Sequence, residues 1–394
     1  MTALVALCKL LMSGGRPQEV ANLSWAVAVL DLRHKALMEA LAEAAMRLCS
    51  QQFTSQELTN TVWAFASLKY CHKPLLDALA AQSIPQMQLG TTQNLVNTAW
   101  ALDVLDWPAF GKETIHMALE CFLRSCSGSL GVEWVTLAAL AEDRQVSEEV
   151  PSFMARFHAL VLDPALRHLS ALRTAPDDRA LAAALQELQN WVLEMQTPHL
   201  GSGFTRHALQ AAGASSAASS PEQRAGSWLE RARLAVGKVS WWSCPHAAVS
   251  SQGVVAWVAA RLEVGTACVE EAGRVFFADD SAEHSILIER MLQPIFLQVP
   301  RNGHAERRAL VSLLRALSRA FSYENSERWE AVQGHVQLYA SHFPCISCLA
   351  VIAQFSRRLT QVELQVDFDN AWSSWTEQPP VIASADVLVM GTVA

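Results

Sequence analysis

Apolar and polar positions in the first third of the chain recur in blocks. Gln18-Glu19-Val20-Ala21-Asn22-Leu23-Ser24-Trp25-Ala26 returns as Gln56-Glu57-Leu58-Thr59-Asn60-Thr61-Val62-Trp63-Ala64 and again as Gln93-Asn94-Leu95-Val96-Asn97-Thr98-Ala99-Trp100-Ala101. Each block has helical spacing, starts near a Thr or Pro, and is followed by a second helical segment such as 72–81. This pattern predicts helix-turn-helix repeats, which bury an apolar face only by stacking on one another. An all-α array over 1–140 is expected, with repeats near 16–52, 53–90 and 91–128. The apolar run in 1–12 fits the second helix of a preceding repeat better than a signal peptide, because it lacks a clear cleavage site. Asn22, Asn60, Asn97 and the three tryptophans are expected to pack between repeats.

The texture then changes. Residues 147–169 and 178–195 keep helical periodicity, and 211–222 is rich in Ala and Ser, as flexible linkers are. A helical connector is therefore expected over 141–238, with a boundary near that stretch. Beyond it, 253–264 and 267–278 form a predicted hairpin around Gly265-Thr266. Helices are predicted from about 281 to before Pro294, from 304 to 321 and from 345 to 358, with strands at 334–341 and 361–368. In the last strand Val362, Leu364, Val366 and Phe368 alternate with polar residues, as one buried face requires. A strand, a helix and a strand in that order imply a right-handed parallel crossover. The expected architecture is multidomain: a helical solenoid followed by an α/β domain over 239–376 and a weakly ordered tail over 377–394.

Composition narrows the class. Of 394 residues, 51% are hydrophobic and 17% charged, which favours packed structure over disorder. A net charge of −8 argues against a broadly basic nucleic-acid binder, and residues 16–128 carry eight Lys and Arg against ten acids. Nine cysteines form an odd, sparse set that suits a reducing intracellular compartment. Every long apolar run is interrupted by polar residues, so no membrane-spanning segment is expected.

Two short motifs carry candidate chemistry. Gly303-His304-Ala305-Glu306 opens one predicted helix, and Phe343-Pro344-Cys345-Ile346-Ser347-Cys348 opens another. Cysteines at i and i+3 share a helical face, and a helix start favours the thiolates that a metal needs. One imidazole and two thiolates leave a fourth tetrahedral position open, the pattern of a catalytic rather than a structural zinc site. His304, Cys345 and Cys348 are therefore the candidate ligands, and Glu306 is the candidate proton shuttle. A rival triplet, Ser281-Ala282-Glu283-His284, also opens a helix but begins with serine. Cys244-Pro245-His246, beside Trp241 and Trp242, reads as a packing segment because no second donor pair has suitable spacing. His335 and His342 flank the strand that leads to the cysteines.

The paired H-x-E and P-C-x-x-C motifs resemble the cytidine-deaminase superfamily over roughly 250–370. Pro344-Cys345-Ile346-Ser347-Cys348, followed by an apolar helix and Gln354-Phe355, is similar to the toxin-type nucleic-acid deaminases. The resemblance implies a three-layer α/β domain, Zn2+ as cofactor, and hydrolytic conversion of cytosine to uracil with Glu306 protonating the ring nitrogen and then the departing amine. The repeats resemble the octotricopeptide-type and RAP-associated helical arrays of organellar RNA-binding proteins over about 16–128. That second resemblance implies single-stranded RNA, or DNA, as partner of the array, RNA editing as the process, and a plastid or mitochondrion as the location. Two other readings stand beside it: a noncatalytic RNA-binding or scaffold protein with a degenerate deaminase fold, and a toxin-like or free-nucleoside deaminase.

Overall fold

A computed structural model describes residues 16–30, 32–48, 53–86, 90–105, 112–125, 132–195, 200–216, 228–238, 254–278, 292–295, 303–320 and 326–369. The chain divides by packing into two compact units, one running through Thr114 and the other spanning Ile115–Ala371. Residues 1–12, the rival triplet at 281–284, the Cys244 segment and the tail over 377–394 lie outside the described residues.

The first unit is helical. It contains α1 (Pro17–Val29), α2 (Lys35–Leu48), α3 (Ser55–Ser67), α4 (Lys73–Gln86), α5 (Thr92–Val104) and the first turn of α6 (Lys112–Ser125). Their starts follow from local capping. At α3, Thr54 accepts from the Glu57 amide while Glu57 accepts from the Thr54 amide. Thr91 caps α5 through the Asn94 amide, and His34 and His72 accept from Leu37 and Leu75 at the starts of α2 and α4. The helices form two layers. α1 packs on α3 and α3 on α5, while α2 packs on α1 and α4, and α4 on α3. The buried faces carry Val20, Ala21 and Val27 in α1, Leu58, Val62 and Phe65 in α3, and Leu95, Ala99 and Leu102 in α5. The repeated Asn and Trp do not join them. Asn22 and Trp25 are exposed, and Asn60, Trp63, Asn97 and Trp100 are half-buried. Their helical phase puts them at the edge of the packed face: Asn60, Trp63, Asn97 and Trp100 are partly covered, as packing between repeats requires, while Asn22 and Trp25 stay exposed.

The second unit begins with helices. Trp134 of α7 (Val132–Asp143) stacks on Phe153 of α8 (Pro151–Phe157) at 5.3 Å, with Phe122 edge-on to it at 5.1 Å. α8 runs through a π-helical turn, His158–Leu162, into α9 (Asp163–Thr174). Pro164 stands just after this turn and has no amide to donate, so local widening of the helix there has an evident cause. α10 (Asp178–Met195) and α11 (Ser202–Ala211) follow, then α12 (Trp228–Lys238).

A mixed four-stranded sheet, ordered β2-β1-β3-β4, forms the centre of the unit. β1 (Val255–Val264) and β2 (Ala267–Phe277) make the expected hairpin around Gly265-Thr266. β1 pairs antiparallel with β3 (Gln333–Ala340), and β3 pairs parallel with β4 (Gln361–Phe368). α12 covers one sheet face, where Leu229 and Ala232 pack with Trp257 and Tyr339. Strand alternation sends Val258, Leu338 and Val366 to the other face. α13 (Ala305–Ala320) packs on β1, β2 and β3, with α14 (Ile346–Arg358) beside it.

The front of the Ala/Ser-rich stretch is part of this fold rather than a flexible linker. Ala212 and Ala214 are buried, and Ser215 pairs with the free edge of β4, donating to Leu364 O at 2.9 Å and accepting from the Val366 amide at 2.8 Å. Small residues here permit close approach. Gly213, at φ 88°, sits where an added Cβ would meet Arg173 Nε at 2.8 Å and Ser356 Cβ at 2.9 Å. α9 and α11 pack on α14, and Arg357 of α14 donates to Ala175 O at 2.7 Å.

Candidate metal centre

Both motif-bearing helices open on a candidate ligand. His304 precedes α13 and its carbonyl accepts from the Arg308 amide at 3.0 Å, closing the first turn. Cys345 is the N-cap of α14, in extended conformation, and its carbonyl accepts from Leu349 at 2.9 Å. Cys348 follows one turn later on the same helical face. Because α14 leaves the carboxyl end of β3 and α13 packs beside it, the two helix starts converge there, the usual place for a site in open α/β sheets.

The donors meet. His304 Nδ1 lies 3.2 Å from Cys348 Sγ and 3.6 Å from Cys345 Sγ, and the two sulfurs are 3.6 Å apart. The ligand atoms of the three residues lie within 4.8 Å of one another. Both cysteines are buried and unbridged. The Cys348 thiol is pushed well up, first by its hydrogen bond with Cys345, then by burial and by the charges of Cys345 and Glu306. Glu306, the second residue of α13, is buried beside them. Burial raises its carboxyl, and the His304 charge opposes that rise. Its Oε2 has no hydrogen-bond partner among the described residues.

A metal fits this arrangement. Two sulfurs and one imidazole nitrogen are the donor set of zinc, and thiolates crowded beside a carboxylate in a buried place need a cation to be stable together. A buried carboxylate oxygen without a partner among the described residues is costly, and a bound cation or water would offset that cost.

Three further residues build the surroundings. Gln354 holds the backbone of 292–295 at both ends of its amide: Gln293 N donates to its Oε1 at 2.9 Å, and its Nε2 donates to Gln293 O at 2.8 Å. Ser347 Oγ accepts from Ile295 N at 3.2 Å, and Arg307 Nε donates to Leu292 O at 2.9 Å. The segment next to the centre is thus fixed from both helices. The sequence carried Ser347 and Gln354 within the resemblance, but their task depends on a strip of backbone some fifty to sixty positions away, which no local pattern reveals. His335 is exposed at the start of β3, the end opposite Cys345, and does not join the cluster. His342 bonds its neighbour, Ser341 Oγ to Nδ1 at 2.8 Å, while that same hydroxyl accepts from Val255 N at 3.0 Å and anchors the loop to β1.

Among known families, characterised proteins and solved structures, none matches this chain.

Proposed function

We propose that the second unit is a zinc-dependent hydrolase that deaminates cytosine to uracil in single-stranded nucleic acid. The observation that carries this reading is the convergence of His304, Cys345 and Cys348, with the Glu306 carboxylate buried beside them and its Oε2 without a partner among the described residues. The order α12-β1-β2-α13-β3-α14-β4, with helices on both sheet faces and the donors at the starts of α13 and α14, supports a three-layer cytidine-deaminase-like fold.

His304, Cys345 and Cys348 would hold zinc, which when bound supplies a Lewis acid able to acidify water near pH 7. Three protein donors leave a position open for that water. The chain's own part is proton transfer. Glu306 takes a proton from the attacking water and delivers it to N3 of the ring as oxygen bonds to C4. A second proton passes through it to the departing amine, and ammonia leaves as the C4 carbonyl forms. Gln354, Ser347 and Arg307 keep the neighbouring backbone in place, so the centre needs little rearrangement.

A free nucleoside is the second reading, favoured by the net charge of −8, which opposes a polyanion except at a local basic face. Incubating the zinc-loaded chain with single-stranded RNA, single-stranded DNA and cytidine separates the cases. Uracil in the polymers supports the proposal, uridine from cytidine alone selects the second reading, and no product with any of the three contradicts both.

A further inference from the structure

Each of α1, α3 and α5 ends on a leucine C-cap, Leu30, Leu68 and Leu105, and the next residue is Asp31 in the first repeat, Lys69 in the second and Asp106 in the third. The repeat thus places a carboxylate after this cap twice and an amine once. At Lys69 the backbone is left-handed, φ 52°, and two bonds close the turn: the Lys69 amide donates to Ala66 O and the Tyr70 amide to Phe65 O, both at 2.9 Å. Aspartate tolerates that conformation better than lysine does, so the lysine stands there at a backbone cost.

The amine end adds a second cost. Lys69 Nζ is buried and has no hydrogen-bond partner among the described residues. Its charged neighbours do not relieve it. Arg33, between α1 and α2, adds a like charge. Glu39 of α2 is engaged by the residues that follow Lys69: the Tyr70 hydroxyl donates to its Oε1, and His72 Nε2 stands 3.8 Å from its Oε2. His72 Nδ1 accepts from the Leu75 amide, so the ring proton sits on the nitrogen facing Glu39. Burial first, and then Arg33, lower the Lys69 amine to about 8. Near neutral pH its free-base fraction is therefore about two orders of magnitude above that of an exposed lysine.

We propose that Lys69 is a site for carbon dioxide: Nζ takes up CO2 as a carbamate, which sets an anion beside Arg33 at the turn position that Asp31 and Asp106 hold in the flanking repeats. The nitrogen lone pair forms the N–C bond, one C–O π pair moves onto oxygen, and the nitrogen releases a proton to water. A free amine and CO2 become a carbamate and one proton, with no change of oxidation state. CO2 is small and apolar enough to reach an enclosed amine. An aldehyde or ketone would meet the same nucleophile, but the imine formed with loss of water carries no anion for Arg33. An acyl group leaves a neutral amide, likewise without one. Carbamate formation replaces a like-charge contact between two repeats by an attractive one, tying the turn after α3 to the connection after α1. Packing of the array then responds to dissolved CO2. The site lies in the first unit and depends on nothing at the metal centre.

The test uses the full chain, equilibrated near neutral pH with carbon-13-labelled bicarbonate and CO2, treated with triethyloxonium to trap carbamates as esters, digested and read by mass spectrometry. Expected is a labelled carbamate on Lys69 at an occupancy at least about tenfold above that on the exposed Lys35 and Lys73. It should fall severalfold in Arg33→Gln and vanish in Lys69→Met. The melting temperature of the unaltered chain should rise with CO2 at constant pH, and that of Lys69→Met should not respond. The decisive reading is made on the unaltered chain, so a variant that folds poorly does not remove it. No trapped carbamate on Lys69, one no more abundant than on Lys35 and Lys73, or a melting temperature indifferent to CO2 at full occupancy would each overturn it.

Discussion

The two units of the chain use polar side chains in opposite ways. In the first, Asn, Trp and Lys recur three times at equivalent positions, each copy partly or fully exposed. In the second, one histidine, two cysteines and one glutamate come together once, in a buried place reached from two helix starts. Repetition suits a stacked array, where each copy adds a similar increment. Convergence suits a single reacting atom, where every donor is needed together. The same contrast sets their tolerance to change, and that can be measured.

The largest effect is expected at the convergent centre. Cys348→Ser replaces one of the three proposed donors, and loss of zinc from such a set would forfeit several kcal/mol of binding energy coupled to folding. Bound zinc, measured by mass spectrometry of the metal, should fall from one per chain to near zero, and the melting temperature should lose its response to a chelator. Retention of full zinc would break the comparison by showing that the cluster is not the metal centre.

Next comes Gly213→Ala. The substitution forces a side chain into a positive φ and against Arg173 and Ser356, at a cost of about 2–4 kcal/mol. The urea midpoint of the second unit should drop accordingly, and zinc retention should weaken because α14 is displaced. A neutral result would return 211–216 to the status of a linker.

A smaller effect is expected at the sheet's other face. Asp369 accepts from Arg233 through both carboxylate oxygens and from the Tyr339 hydroxyl at 2.6 Å, tying α12 to β3. Arg233 and Asp369 are about one-third exposed, so solvent screens the pair. Asp369→Ala should cost about 1 kcal/mol in denaturant unfolding and leave zinc content unchanged.

The smallest effect is a pH dependence. Burial raises the Asp367 carboxyl above its ordinary value, although its Oδ1 accepts from the Phe368 amide. A raised folded pKa means that folding favours the protonated form. Stability from this group is full below the ordinary carboxylate value and is lost as pH rises through the folded one. Asp367→Asn should remove that fall, so the variant gains on the unaltered chain above the window and not below it, as melting curves at acid and neutral pH would show.

Much of the second unit was legible because local signals agreed. β4 has the bounds its alternation predicts, and the hairpin turns where Gly265-Thr266 interrupts two β-rich runs. Asp367 is the exception: it lies on the polar side of that alternation yet is buried near α12's Arg233, whose charge offsets part of the cost. The cluster of His304, Cys345 and Cys348 was legible because helix starts and donor spacing coincide. The close packing of α9 and α11 on α14 was not, since Ala and Ser mark both linkers and tight contacts, and only Gly213 and Ser215 in place distinguish them. In the first unit, the recurrence was clear in the sequence, but the exposure of Asn22 and Trp25 was not, because the more apolar positions between Asn and Trp claim the core. Charge counted over the region likewise concealed the period of Lys35, Lys73 and Lys112. No described helix is long and apolar enough to cross a membrane, in keeping with the interrupted apolar runs.

The most direct test is the proton carrier. Glu306→Ala removes the carboxylate buried beside the donors among the described residues while leaving His304, Cys345 and Cys348 in place. Deamination of cytosine in single-stranded RNA is measured for this variant and the unaltered chain at equal zinc content. The account predicts full zinc occupancy and a rate lowered by about 10²- to 10⁴-fold; an unaltered rate at full zinc would contradict it.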